Sequence, residues 1–280
     1  MKSRKAGRRL IVFLKYSALM LTAFIFLFPL YWMLRTSVME LGDIFALPVI
    51  YFPREIQFEH YCAAFDVFPL GRYLLNSLWI TSLATFGAVF SSSLCAFGFS
   101  RITWRMREKV FTIVLSSMLL PTAVTLIPTF LQWHAVGITD SYIPLIAPYW
   151  FGGGAMNIFL LRQFFRTLPK SLDESAVIDG AGYFTIYSRI VVPLSKPVLV
   201  VVLMFAFTTS WNDFLNPIIY LNTQSKYTLS IGLQLFMTAF QTSWNQLMAA
   251  ATIAVIPCVV IFLYSQKYII EGITFTGLKG

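Results

Sequence analysis

Charge is what this chain has least of: 12% of its residues are charged and 58% are hydrophobic. That leaves too little polar surface to cover a water-soluble globule, so a soluble domain is excluded and a polytopic membrane protein is expected. Histidine is nearly missing, with only His60 and His134. Cysteine occurs three times, as Cys62, Cys95 and Cys258, with no ligand spacing and with the last two inside apolar runs, so neither a disulfide framework nor a metal site is expected. Also missing are a G-x-x-x-x-G-K-[ST] phosphate loop, an H-E-x-x-H pair and a G-x-S-x-G elbow. No catalytic residue is therefore assigned, and catalysis by this chain alone is not expected.

What is present is a series of apolar runs. An all-α chain of 280 residues has room for about six or seven spans of some 20 to 25 residues. Six are read, at 10–34, 73–99, 110–133, 142–165, 198–221 and 247–270. The first is too long for a cleavable signal peptide and is read as retained. The second is rich in Ser, Ala and Gly, which let membrane helices approach closely. Pro121 and Pro128 predict a kink in the third, and Pro144, Pro148 and Gly152-Gly153-Gly154 predict a broken fourth. Such breaks fit either a lined pathway or tight packing. Residues 35–72 read as an ordered extramembrane loop, and 222–246 as a polar, aromatic connection.

Orientation follows from the basic residues. With the N-terminus cytoplasmic, Lys2, Arg4, Lys5, Arg8, Arg9, Arg101, Arg105, Arg107, Lys109, Arg162, Arg166, Lys170, Arg189, Lys196, Lys267 and Lys279 fall inside. Only Arg35, Arg54, Arg72 and Lys226 fall outside, a strong positive-inside bias that puts both termini in the cytoplasm. Topology thus explains the net charge of +9 without a nucleic-acid partner.

Two stretches stand out. The longest cytoplasmic segment, 169–197, reads PKSLDESAVIDGAGYFTIYSRIVVPLSKP. Ser171 and Glu174 have capping-box spacing, so a short helix is expected to start there. Gly180 is expected to end it with a left-handed exit. A second short helix is expected over 183–190, with Pro193 turning the chain back toward the membrane. The other stretch is Trp211-Asn212-Asp213-Phe214 near the outer end of the fifth span. There Asn212, Asp213 and Asn216 offer polar groups beside aromatic rings, suited to sugar hydroxyls or to a structural hydrogen-bond role. Coupling-ion groups near the midplane and inverted repeats are not evident, which disfavours an ion-coupled secondary carrier.

Glu174-Ser175-Ala176-Val177-Ile178-Asp179-Gly180-Ala181, continuing to Ile190 and Pro193, resembles the EAA motif of permease subunits of binding-protein-dependent ABC importers. Ser175 replaces the middle Ala, and Tyr187 stands where Phe is common. Asn76-Ser77-Leu78, Ser210-Trp211-Asn212-Asp213-Phe214, Lys226-Tyr227-Thr228-Leu229 and Gly272-Ile273-Thr274 with Lys279-Gly280 resemble the carbohydrate-uptake branch, maltose-type and glycerol-phosphate-type. The resemblance implies a six-span subunit working with a second homologous permease, two cytoplasmic ATPase subunits and an extracytoplasmic solute-binding protein. It implies that 169–197 is a coupling loop seated in the ATPase, and that ATP and Mg are bound by the partners, with no cofactor on this chain. The C-terminal tail is a second contact in the family, although FTGLKG departs from the usual GAVKG-like ending. A sugar is the leading solute. Glycerol phosphate or another small polar solute is the alternative within the family.

Overall fold

The computed structural model describes residues 2–239 and 243–277. Among the described residues every regular element is helical. This is the expected outcome for apolar runs whose backbone groups find no water and must pair within their own segment. Four helices are each long and apolar enough to cross a membrane: Ile11–Ser37, Leu70–Ser100, Ile143–Phe165 and Trp244–Ile269. Two further candidates are bent pairs, Arg107–Leu119 with Thr122–Ala135 at 101° and Tyr183–Leu194 with Lys196–Trp211 at 82°.

The third predicted span does bend, and the break falls at Pro121, which is extended at ψ 136° ahead of Thr122. Pro128 stays inside the helix that follows. The fifth is not one helix. It runs as Lys196–Trp211, opens over residues 212–214 and resumes as Leu215–Tyr220. The connection read over 222–246 also contains a further helix, Leu229–Ala239.

The chain divides into two compact units, residues 1–70 with 233–255, and residues 71–232 with 256–280. In the first, Arg35 is buried and committed to structure. Its Nε donates to the Ile50 carbonyl at 2.8 Å and its guanidinium lies 4.2 Å over the Trp32 ring. The Ser37 and Tyr61 hydroxyls lie 2.8 Å apart, and His60 Nε2 lies 3.2 Å from the Asn245 amide. His60 thus ties the loop 35–72 to the helix Trp244–Gly277 within this unit.

The second unit is built on the helix Leu70–Ser100, whose buried small residues Ala84, Ala88, Ser92 and Ala96 form one packing surface. Against it lies the broken pair Ile143–Trp150 and Ala155–Phe165. Ser91 Oγ lies 2.8 Å from the Tyr149 carbonyl and 2.7 Å from the Gly87 carbonyl, with one proton to share between them, and Trp150 Nε1 donates to the Leu83 carbonyl at 3.1 Å. At the break, Gly152, Gly153 and Gly154 all have positive φ, and a Cβ on Gly153 would fall on the Ala88 carbonyl oxygen.

At one end of Leu70–Ser100, two motifs separated by about half the chain prove to be partners. Asn76 Nδ2 donates to the carbonyls of Ser225 and Tyr227, at 3.1 and 2.9 Å, and the Leu229 amide donates to Ser77 Oγ at 2.8 Å. The same segment is held from its other side by Asp140. Its Oδ1 accepts from the Asn222 and Thr223 amides at 2.9 and 3.0 Å, and its Oδ2 accepts from Thr223 Oγ1 at 2.6 Å and from Lys226 Nζ at 2.8 Å. Hydrogen bonding by the Lys226 ammonium, then by Thr223 and Asn222, holds the Asp140 carboxyl well below the usual carboxylate range. Because the folded value is the lower one, the tie contributes stability above roughly pH 4 and loses it only as pH falls further. Hydrogen exchange measured from pH 5 to 8 should therefore show constant protection of the Asn222 and Thr223 amides once intrinsic rates are removed. In Asp140→Ala that protection should drop by about tenfold. Unchanged protection in the variant would refute the tie.

Candidate functional site

At the other end of Leu70–Ser100 the polypeptide leaves the helix Ala155–Phe165 and forms Ser171–Ile178. The helix starts where expected, but the capping box does not form. Lys170 precedes it with φ −69° and ψ −25°, already helical, and no side chain caps the end. A capping residue must be extended for its oxygen to reach back to the free amides, so Ser171 sits one position too far in. Ser175 turns its hydroxyl onto its own helix and donates to the Ser171 carbonyl at 2.8 Å.

The exit matches its expected form. Gly180 has φ +80°, its amide donates to the Val177 carbonyl at 3.0 Å, and the Ala181 amide donates to the Ala176 carbonyl at 2.9 Å. These two bonds make a Schellman ending, which satisfies two carbonyls and fixes the exit direction. The second helical stretch differs from expectation. It is α-helical over Tyr183–Ile186, widens to a π-turn over Tyr187–Val191 and continues through Val192–Leu194. Pro193 does not turn the chain. It sits within the helical run, directly after the π-turn, and the 82° bend follows at the buried Ser195.

Arg101 fastens this element to the unit, and Arg162 fastens the helix that leads into it. Arg101, almost fully buried, donates from Nη1 to the Leu168 carbonyl at 3.1 Å and places Nε 3.4 Å from Asp173 Oδ2. Arg162, also buried, donates from Nε to the Phe99 carbonyl at 3.0 Å and from Nη2 to both Glu108 oxygens at 2.7 Å, with its guanidinium 3.9 Å over the Phe111 ring. Beneath them Phe97, Phe99, Phe111, Leu161, Phe165, Ala176, Ile186, Tyr187 and Val191 share one core, with Ile190 and Ala181 packed against it.

Of the EAA-like residues, the structure brings Ala176, Ala181 and Ile190 into that core, while Glu174, Ser175, Asp179, Gly180 and Pro193 are exposed. Ala176 faces inward, so it is not available to a partner's groove. The apolar surface that is available belongs to Leu172, Val177, Ile178, Tyr183 and Phe184, with Ile178 at 85% and Phe184 at 73% exposure. Val177, Ile178 and Tyr183 also rim a cavity of about 410 Å³ whose polar side is Arg101, Asp173 and Glu174. Arg101 and Arg162 had registered in the sequence only as inside charges. Their partners lie more than fifty residues away, beyond the reach of local spacing.

The second candidate set lies where the fifth span opens. Trp211 is buried and stacks on Phe207, with ring centroids 5.7 Å apart. Asn212 donates to the Thr208 carbonyl at 3.0 Å. Asp213 accepts from the Asn216 amide at 3.2 Å and from the Asn216 side chain at 2.8 Å. These bonds cap the helix Leu215–Tyr220. Asn212 and Asn216 are nevertheless exposed and Asp213 half-exposed.

The whole chain has relatives of known type. The arabinooligosaccharides transport system permease protein AraQ of Bacillus subtilis is 30% identical over 93% of this chain and 93% of its own length. The melibiose/raffinose/stachyose import permease protein MelC of the same organism is 31% identical over 90% and 91%. In three dimensions the chain resembles the solved bacterial ABC transporter involved in the import of the acidic polysaccharide alginate, with a TM-score of 0.82 and 20% identity over 93% of this chain and 97% of that one. Residues 1–274 match the family model of the binding-protein-dependent transport system inner membrane component, and the chain belongs to that family, as an ABC permease subunit of the inner membrane whose ATPase is a separate polypeptide.

Proposed function

We propose that this chain is one permease half of an importer that moves a sugar or oligosaccharide by alternating access, with Mg and ATP bound and hydrolysed by two cytoplasmic ATPase subunits. A second, homologous permease completes the pathway, and an extracytoplasmic solute-binding protein delivers the solute. Each bent helix pair counts as one span, which makes six, and the inside excess of Lys and Arg supports cytoplasmic termini. The residues 169–197 act as the coupling loop: Glu174, Ser175, Asp179 and Gly180 present its surface, while Ala176, Ala181, Ile190 and Pro193 set its seating and exit. The tail beyond residue 277, which carries Lys279 and Gly280, lies outside the described residues.

The observation that carries this reading is the helix Ser171–Ile178. It is closed by a fixed left-handed exit and pinned from behind by Arg101, yet it shows apolar side chains outward. Exposed apolar groups beside Glu174 and Asp179 describe a surface made for a partner. At the opposite end, the opening at residues 212–214 breaks a span where it costs backbone pairing, which is tolerated where polar groups or water replace the lost bonds. We place Trp211, Asn212, Asp213 and Asn216 along the solute route on that ground.

The test is ATP hydrolysis by the complex reconstituted with its binding protein, with arabinotriose, raffinose, diacetylchitobiose and glycerol 3-phosphate offered in turn. Several-fold stimulation by one of the sugars is the expected result. Uptake by this chain alone, driven by an ion gradient, would overturn the proposal.

A further inference from the structure

Tyr187 is 7% exposed and Ser93 2% exposed, and their hydroxyl oxygens lie 2.6 Å apart, joining the π-turn of the loop to the helix Leu70–Ser100. Ser93 has one proton, and its Oγ also lies 2.8 Å from the Phe90 carbonyl, which can only accept. Both hydroxyl protons are paired only when Ser93 donates to the Phe90 carbonyl and Tyr187 donates to Ser93 Oγ, which is the arrangement favoured for two buried hydroxyls. The bond thus has one direction. Tyr187 depends on Ser93, whereas Ser93 keeps a partner without Tyr187. The ring is further fixed by Phe97, edge-on at 5.4 Å.

From this we propose that Ser93 is a positioning residue for coupling, acting through Tyr187. It holds the π-turn in register against Leu70–Ser100, so that movement of the loop becomes movement of that helix. Asn76 and Ser77 lie about 25 Å further along the same helix and grip residues 225–229. One rigid rod thus runs from the loop to the segment at the opposite end. The π-turn suits this role, because such turns place one residue out of α-helical register and let its side chain reach a specific partner. The inference rests on the reading of 169–197 as the coupling loop.

Directionality makes the test asymmetric. Ser93→Ala leaves a buried Tyr hydroxyl unsatisfied, and the π-turn shifts to find water. Tyr187→Phe removes the donor and leaves Ser93 bonded to Phe90. In the full complex in proteoliposomes, stimulation of ATP hydrolysis by the solute-binding protein over the basal rate should fall by about tenfold in Ser93→Ala. It should fall by several-fold in Tyr187→Phe, which breaks the same bond, and the double variant should fall no further than Ser93→Ala alone. Losses that do not add identify one shared bond, whereas independent damage at two sites would add. Full stimulation in either single variant, or losses that add in the double variant, overturns the latch. ATPase co-purification with Glu174→Lys keeps this outcome separate from failure of the coupling-loop reading: loss there supports the docking surface whatever Ser93→Ala does, and full retention removes that reading itself.

Discussion

Gly180→Val is expected to abolish uptake and weaken ATPase association while the chain remains in the membrane, and Glu174→Lys is expected to do the same by a different route. At φ +80°, any residue with a Cβ pays about 1 to 2 kcal/mol, and a β-branched one more. The larger effect is geometric. The Schellman bonds from Gly180 to Val177 and from Ala181 to Ala176 hold only in that conformation, so their loss lets Ile178 and Tyr183 point elsewhere. Glu174 is exposed and does not hold the fold together, so Glu174→Lys changes only the charge a partner meets. Membrane abundance, ATPase co-purification and uptake together decide the matter. Normal uptake by both variants would remove the docking role of 169–197.

Gly153→Val should be the most destabilising single change in the second unit. The residue has φ +66°, and an added Cβ meets the Ala88 carbonyl oxygen and lies 2.9 Å from Ser91 Oγ. A backbone atom inside a helix cannot step aside as a flexible side chain can. Left-handed strain and overpacking together suggest a loss of about 3 kcal/mol or more. The broken helix would have to lift from Leu70–Ser100, taking with it the Trp150 and Tyr149 contacts. Thermal unfolding in detergent should show a midpoint several degrees lower, and an unchanged midpoint would show that the two helices are not in close contact at this position.

What could be read in the sequence was whatever a single residue type dictates. Gly180 and Gly152-Gly153-Gly154 were legible because only glycine takes such φ values without cost, and Pro121 because a proline removes a backbone bond from a helix interior, although Pro128 shows that the helix can survive it. The capping box was not, because Ser171 and Glu174 have the right spacing whether the preceding residue is extended or helical, and Lys170 is helical. Pro193 misled for a similar reason: the helical run carries on through it to Leu194 after the π-turn, and the bend passed to Ser195. The clamps made by Arg101, Arg162 and Asp140 were out of reach, since each partner was brought in by the fold. The Asn76-Ser77 and Lys226-to-Leu229 stretches were noticed separately as family-like, and only the folded chain shows that each completes the other.

The outward-facing Leu172, Val177, Ile178, Tyr183 and Phe184 have a consequence for the cell's production schedule. A permease made without its ATPase would expose a sticky patch to the aqueous phase, where such surfaces recruit proteases or self-associate. If residues 169–197 dock as proposed, supply of the two kinds of subunit has to be matched, because the side chains that docking would cover are the ones that mark an unassembled permease for removal.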